Sequence, residues 1–306
     1  MTLPTVAVLG GGVIGRTAAL ELARAGHAVT LITADPPEAT TSAKAAALWR
    51  PFAAHPAARV HDWAIGTFAR LVPLAADPAS GVRMVRGRSI GARADEDTGW
   101  TRAATDAVIE RNAIGGLTIV ATLPLIDMGR HLPWLQNAGA AAGVVEVRRR
   151  VTAVDEALEY GELVVLATGL ETNALVPGAG LYPIQGQVVR VANPGGVEWR
   201  IDERPDGLLY IIPRIDEVVL GGTEVVGADS TEPDPAVEAA ILARAADVLP
   251  WVADAPVTSR AVGLRPGRAE VRLERVGDVI HCYGHGGSGV TLAFACAEEI
   301  VALASR

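Results

Sequence analysis

The chain has 306 residues, half of them hydrophobic, and a formal charge of −8 at neutral pH. That length suits two modest domains or one large one, and so apolar a chain can bury a sizeable core instead of staying disordered. The acidic balance argues against a nucleic-acid partner, whose electrostatic footprint is basic. No apolar run is long enough and free enough of charge to span a bilayer. Met1 runs almost directly into a strand and a glycine turn, so no signal peptide is expected and the protein should be soluble and cytoplasmic.

In chain order, Thr5 to Leu9 is a short apolar run with β-branched residues and reads as a buried strand. Gly10-Gly11-Gly12-Val13-Ile14-Gly15 follows at once, then an Ala/Leu-rich helix from Ile14 to Ala25, stopped by Gly26. Ala28 to Thr33 is a second strand, with Asp35 just beyond it. Gly10, Gly12 and Gly15 therefore sit where a G-x-G-x-x-G fingerprint belongs. The first allows a tight turn, the second lets a pyrophosphate approach the backbone, and the third lets helix and strand pack closely. Asp35, 25 residues after Gly10, is the candidate for the ribose hydroxyls. Strand, turn, helix, strand and acid together point to a bound dinucleotide, without choosing FAD over NAD(P).

Thr40-Thr41-Ser42 offers three hydroxyls that suit phosphate or flavin oxygens, and equally an ordinary helix cap. Ala43 to Trp49 is a run of small residues suited either to lying against a ring system or to helix packing. Arg50 follows and is expected to face solvent, because adjacent residues rarely point the same way. Residues 75–107, rich in Asp, Gly and Arg, are the least legible. Arg148-Arg149-Arg150 reads as a solvated strand end, and Glu162 to Ala167 as a strand ending in Thr168-Gly169. Gly186 to Ala192, Leu208 to Pro213 and Glu217 to Gly222 read as strands of a mostly antiparallel sheet. Near the end come Val262-Gly263-Leu264-Arg265-Pro266, a strand from Asp278 to Cys282, a glycine-rich turn over Tyr283 to Gly289, and a helix from Val290 to Ala304. Arg265 is a fixed cationic fork suited to a carboxylate. Cys282 and Cys296, among apolar neighbours, read as buried free thiols, and no metal site is expected.

These motifs form one set: Gly10 to Gly15, Thr40 to Ser42 with Leu48-Trp49, Tyr210-Ile211-Ile212-Pro213, Gly221-Gly222-Thr223, Gly263 to Pro266, and Tyr283-Gly284-His285-Gly286-Gly287-x-Gly289. In this order the chain resembles the D-amino-acid oxidase family, which includes D-aspartate oxidase, over nearly its whole length. The resemblance implies an α/β fold with a discontinuous Rossmann-like FAD-binding domain (residues 1–50, 130–176 and 266–306). A substrate domain (51–129 and 177–265) would carry the mostly antiparallel sheet. It implies FAD, oxidative deamination of D-amino acids with dioxygen as acceptor and hydrogen peroxide as product, and allows a homodimer.

Residue by residue, the resemblance matches Arg265 and Tyr210 to the groups that hold the substrate α-carboxylate. Gly10, Gly12, Val13, Ile14, Gly15, Asp35, Thr40, Thr41 and Ser42 match the ADP and pyrophosphate side of the FAD site. Ala47, Leu48 and Trp49 fall where backbone groups meet the flavin, Val151 where one meets adenine, and Thr168 and Gly169 on the inner side of that domain. Gly286, Gly287, Ser288, Gly289, Val290 and Thr291 fall at the pyrimidine end of the flavin, with Ser288 also facing substrate. His285 is tempting as a base, but its backbone is the better reading. Phe52, Leu208 and Leu209 suggest an apolar side-chain pocket. The lid loop before Tyr210 is short and lacks a second tyrosine that several relatives have. The alternatives are a D-aspartate, D-glutamate, glycine or amine oxidase of the same fold, a flavin dehydrogenase that does not use oxygen, and a non-catalytic nucleotide binder.

Overall fold

A computed structural model describes residues 3–91 and 93–306; Met1, Thr2 and Ala92 lie outside the described residues. The chain begins with β1 (Val6–Leu9), α1 (Val13–Arg24), β2 (Val29–Thr33), the single turn α2 (Thr41–Lys44) and α3 (Ala57–Leu74). Next come β3 (Val82–Ile90), β4 (Val108–Arg111), β5 (Leu117–Ile126), α4 (Met128–Ala141), β6 (Val145–Arg148), β7 (Leu163–Leu166) and the short α5 (Thr172–Leu175). Then follow β8 (Tyr182–Ala192), β9 (Trp199–Arg204), β10 (Gly207–Pro213), β11 (Glu217–Gly221), β12 (Val225–Val226) and α6 (Pro235–Ala246). The chain closes with β13 (Val257–Gly267), β14 (Arg272–Val276), β15 (Val279–Tyr283) and α7 (Gly289–Ala304).

Two sheets organise these elements. Six strands in the order β14-β15-β7-β1-β2-β6 run parallel except for β14, which returns antiparallel beside β15. β1 and β7 are buried throughout, as strands covered on both faces must be. Alternation divides β1 between two cores: Val6 and Val8 pack with α1 and α7, whereas Ala7 and Leu9 pack on the other face with Ala157, Leu175 and Tyr283. α7 sits deepest, with Leu292, Phe294 and Ile300 at 2 % exposure or less, each contributing about 1.5–3 kcal/mol of burial. α3 lies across α7, held by Arg59–Glu299 at 2.5 Å and by the Trp63 indole donating to Glu299 at 2.8 Å.

The second sheet has nine strands, antiparallel except where β3 runs parallel to β9. β10 shows the alternation plainly. Leu209 and Ile211 pack with Ile241 and Ala245 of α6, while Leu208, Tyr210 and Ile212 face inward onto a cavity shared with the first sheet. Among the described residues β13 pairs only with β8, over ten residues, and as an edge strand it tolerates Pro266. That pairing sets Arg265 opposite Ile184 and diagonal to Gly186 on the inner face.

The element predictions made from local pattern hold to within a residue or two at most ends; β8 starts earlier, at Tyr182. The strand nature of β13 and the helices α3, α4 and α6 are additions. Within residues 75–107 lie β3 and the turn that carries Trp100. Among the described residues, no helix is long and apolar enough to cross a membrane.

Candidate active site

One cavity of about 970 Å³ runs between the two sheets, and most of the residues singled out from the sequence line it. Its far end is the β1–α1 turn. Gly10 has φ +120°, and a Cβ there would overlap the Ala167 carbonyl oxygen. A Cβ on Gly15 would overlap the Gly10 carbonyl oxygen, so Gly15 serves helix–strand packing and does not reach the cavity. The Gly12 N-cap of α1 has no side chain to cap it and there is no acidic residue in the first turn, so apart from the Val13 N–H, which Ser42 takes, the positive end is left for an anion.

Around that end sit Asp35, Thr40, Thr41, Ser42, Val151, Thr168 and Gly169. Ser42 Oγ accepts from Val13 N–H at 3.0 Å and Thr40 Oγ1 donates to the Pro37 carbonyl at 2.6 Å, so these two hydroxyls help to shape the loop. The exposed Asp35 carboxylate lies 3.5 Å from Arg150, whose other nitrogen is 3.6 Å from Glu171. The run Arg148 to Arg150 is therefore more than a solvated strand end, since Arg149 and Arg150 both line the cavity.

At the near end β13 presents Arg265 and β10 presents Tyr210. Arg265 Nη1 donates to the Thr223 carbonyl at 3.2 Å and the Gln185 carbonyl at 3.4 Å, and its guanidinium lies 5.9 Å from the Phe52 ring centroid. Among the described residues, no carboxylate pairs with Arg265; Glu274, a conceivable surface partner, pairs with Arg272. Three glycines make the notches that hold this pair. A Cβ on Gly186 would sit 2.5 Å from Arg265 Cζ and Nη1, and a Cβ on Gly221 or Gly222 would collide with the Tyr210 ring. Burial pushes the Tyr210 hydroxyl up from its ordinary pKa, against the pull of the neighbouring Arg265, so it remains a neutral donor. The role of these glycines has no signal in the sequence, because the notch exists only once β8, β10 and β11 are paired.

Four expectations are corrected. Arg50 does not face solvent: its side chain is 13 % exposed, pairs with Glu96, lies 5.9 Å from the Trp100 ring and lines the cavity. The alternation argument fails because this segment is not a regular strand; Ala47 has φ +61° and only Leu48 makes a bridge, to Leu125. The Ser288 side chain does not line the cavity. It is fully buried, and Oγ accepts from Phe52 N–H and donates to the Phe52 carbonyl, both at 2.7 Å. Ser288 thereby ties the β15–α7 turn to the segment that carries Phe52. Trp49 lies outside the cavity: its backbone N–H donates to Pro124 at 2.8 Å and its indole N–H to Ala64 at 3.0 Å, with Phe68 and Trp100 edge-on. Leu209 belongs to the α6 core and not to the pocket. Ala47, Leu48, Gly286, Gly287, Gly289, Val290, Thr291, Phe52 and Leu208 do line the cavity.

The two cysteines are buried free thiols, as expected. The structure also brings His285 to them, with Nε2 3.8 Å from each sulfur. That convergence was not legible, because Cys282, His285 and Cys296 come from β15, the following turn and α7.

A parallel sheet whose first strand–helix turn opens on a helix N-terminus is the architecture of dinucleotide-binding proteins, and here an antiparallel sheet sets a cationic grip across the same cavity. The chain belongs to the DAO family of FAD dependent oxidoreductases, whose profile matches residues 5–303. The resemblance read from the motifs is thus borne out. The chain is 42 % identical to a D-amino-acid oxidase of Rubrobacter xylanophilus over 97 % of this chain and 94 % of that one. It is 43 % identical to a D-amino-acid oxidase of Streptomyces coelicolor, covering 98 % and 96 %. A glycine oxidase structure from Geobacillus kaustophilus superposes with a TM-score of 0.79 at 19 % identity, covering all of this chain and 95 % of that one, which speaks to the fold. The protein is an FAD-dependent oxidoreductase, and its residues fit that cofactor: only glycine leaves the Gly10 turn open, and the α1 terminus lacks an acid that would repel a pyrophosphate.

Proposed function

We propose that this enzyme oxidatively deaminates D-amino acids with neutral, apolar side chains, giving 2-oxo acids, ammonia and hydrogen peroxide. The observation that carries the proposal is the unpaired, glycine-seated Arg265 beside Tyr210, facing a cavity whose other end is built for FAD. Bound FAD would take the Cα hydrogen as hydride and pass the electron pair to dioxygen. Arg265 and Tyr210 grip the α-carboxylate and fix the Cα–H direction, which removes part of the barrier by orientation alone. The imino acid product hydrolyses in water. No side-chain base is needed, and His285 serves through its backbone and its contact with the thiols.

Phe52 and Leu208 supply apolar wall, and Arg50 and Glu96 neutralise one another. Arg50 in the wall favours a second reading, an acidic side chain on the substrate. Comparing D-valine, D-leucine and D-aspartate separates the two, and a clear win for D-aspartate selects the second. In this proposal residues 1–50, 130–176 and 266–306 form the FAD domain and the remainder the substrate domain. The enzyme is soluble and cytoplasmic, either monomer or homodimer.

The test is direct. The yellow holoprotein, held anaerobically, should bleach with D-alanine and recolour in air with release of peroxide. A protein that stays yellow with every D-amino acid, or that bleaches but recolours only with a quinone, overturns the proposal.

A further inference from the structure

Cys282, His285 and Cys296 are 1 %, 3 % and 0 % exposed, and their donor atoms all lie within 4.8 Å of one another. The three positions differ in access. Cys282 and His285 line the cofactor cavity, whereas Cys296 lies behind them on α7. The two thiols also differ in charge. The Cys296 thiol beside it, together with His285, holds Cys282 well below the usual thiol range, while burial and the neighbouring Cys282 raise Cys296. A thiol of lowered pKa at the cavity wall, backed by one of raised pKa behind it, is the arrangement of an attacking and a resolving cysteine.

We propose that Cys282 and Cys296 are a dithiol oxidised by hydrogen peroxide from the cavity side, with His285 as the positioning residue between them. The Cys282 sulfur attacks one peroxide oxygen; the S–O bond forms, the O–O bond breaks, and hydroxide leaves with a proton as water. The Cys296 sulfur then displaces the second oxygen as water and closes the Cys282–Cys296 bond. Overall two thiols lose two electrons and two protons, and one peroxide becomes two waters. The oxidase reading enters only as the source of the peroxide.

A metal ion is the competing occupant of the same cluster. It is less favoured because among the described residues this group offers three donors and no fourth, where closed structural sites hold four.

The experiment treats the reduced holoprotein with hydrogen peroxide and reads the non-reduced mass and peptide map. The expected result is loss of two hydrogens and a Cys282–Cys296 cross-link reversed by dithiothreitol. In Cys296→Ser, dimedone should trap a sulfenic acid on Cys282; in Cys282→Ser, no adduct should form on Cys296. Two thiols that remain alkylatable after peroxide, an adduct formed on Cys296 in Cys282→Ser, or a stoichiometric bound zinc or copper ion in the purified protein would overturn the proposal. A parallel sample uses D-alanine and air in place of added peroxide, with and without catalase. A cross-link with added peroxide but none during turnover keeps the dithiol and counts against the oxidase activity instead.

Discussion

Replacing Gly186 by alanine separates the grip on substrate from the fold. The β8 backbone there is extended, so alanine fits it without strain. The added methyl would lie 2.5 Å from Arg265 Cζ and Nη1, too close to coexist. The least costly relief is to move the guanidinium, which is the free end of a flexible side chain. Stability should then change by no more than about 1 kcal/mol, since glycine in a strand interior is itself no better than alanine. Each hydrogen bond from a charged group is worth roughly 1.5–3 kcal/mol, so misaligning a two-bond grip should remove about 2–4 kcal/mol. At about 1.4 kcal/mol per factor of ten, kcat/KM should fall roughly 30- to 1000-fold. The assay is peroxide release with D-alanine, alongside FAD absorbance and a thermal melt, which should both stay near the parent values. In an Arg265→Ala background the same change should add little, because its target is gone. A Gly186→Ala enzyme within twofold of the parent kcat/KM would refute the seating of Arg265.

Tyr210→Phe should cost less, about 1 kcal/mol or some fivefold in kcat/KM, because one neutral donor is lost; a nearly dead variant would contradict a purely positioning role. Since burial raises the Tyr210 hydroxyl above its ordinary value, no loss of activity from its ionisation should appear up to pH 10; a falling limb below pH 10 that vanishes in Tyr210→Phe would contradict this. Ser288→Ala leaves the Phe52 N–H and carbonyl without their partner and should lower stability by about 2 kcal/mol, read by denaturant titration. Burial holds His131 at about 4, below its unfolded value of about 6.5, so the unfolded chain binds a proton that the folded chain does not. Its contribution is complete above pH 6.5 and is lost as pH falls toward 4, by up to about 3 kcal/mol. A melt series over that window should show the slope, flattened in His131→Gln; an unchanged slope in the variant would assign it elsewhere.

The readable parts of this protein are those in which consecutive residues do one job. The β1–α1–β2 unit announces itself because strand, turn glycines, helix and acid are contiguous. The Tyr210 and Arg265 motifs are equally compact. What stayed hidden depends on partners distant in the chain. Gly263 and Pro266 carry no strand signal, yet they sit within β13, because an edge strand paired on one side tolerates both. Arg50 looked solvated until Glu96, from the least legible stretch, closed on it. Ser288 looked like a substrate contact until Phe52 took both sides of its hydroxyl. The glycine notches of Gly186, Gly221 and Gly222 are shapes made by pairing, not by order along the chain.

The β8–β13 ladder has a consequence for assembly. Its ten pairs are rich in Val and Gly, with one irregularity between Val257 and Ser259 at its start. A slip of a single residue would turn Arg265 to the opposite side of the sheet. The β1–α1 glycine turn belongs to the other sheet and takes no part in that ladder, although the Pro266 carbonyl of β13 does accept from the Gly286 N–H of the β15–α7 turn. Misfolded molecules of this kind would keep the β1–α1 phosphate turn and lose the cationic grip, so pigment retained by them would overcount the working enzyme in any preparation.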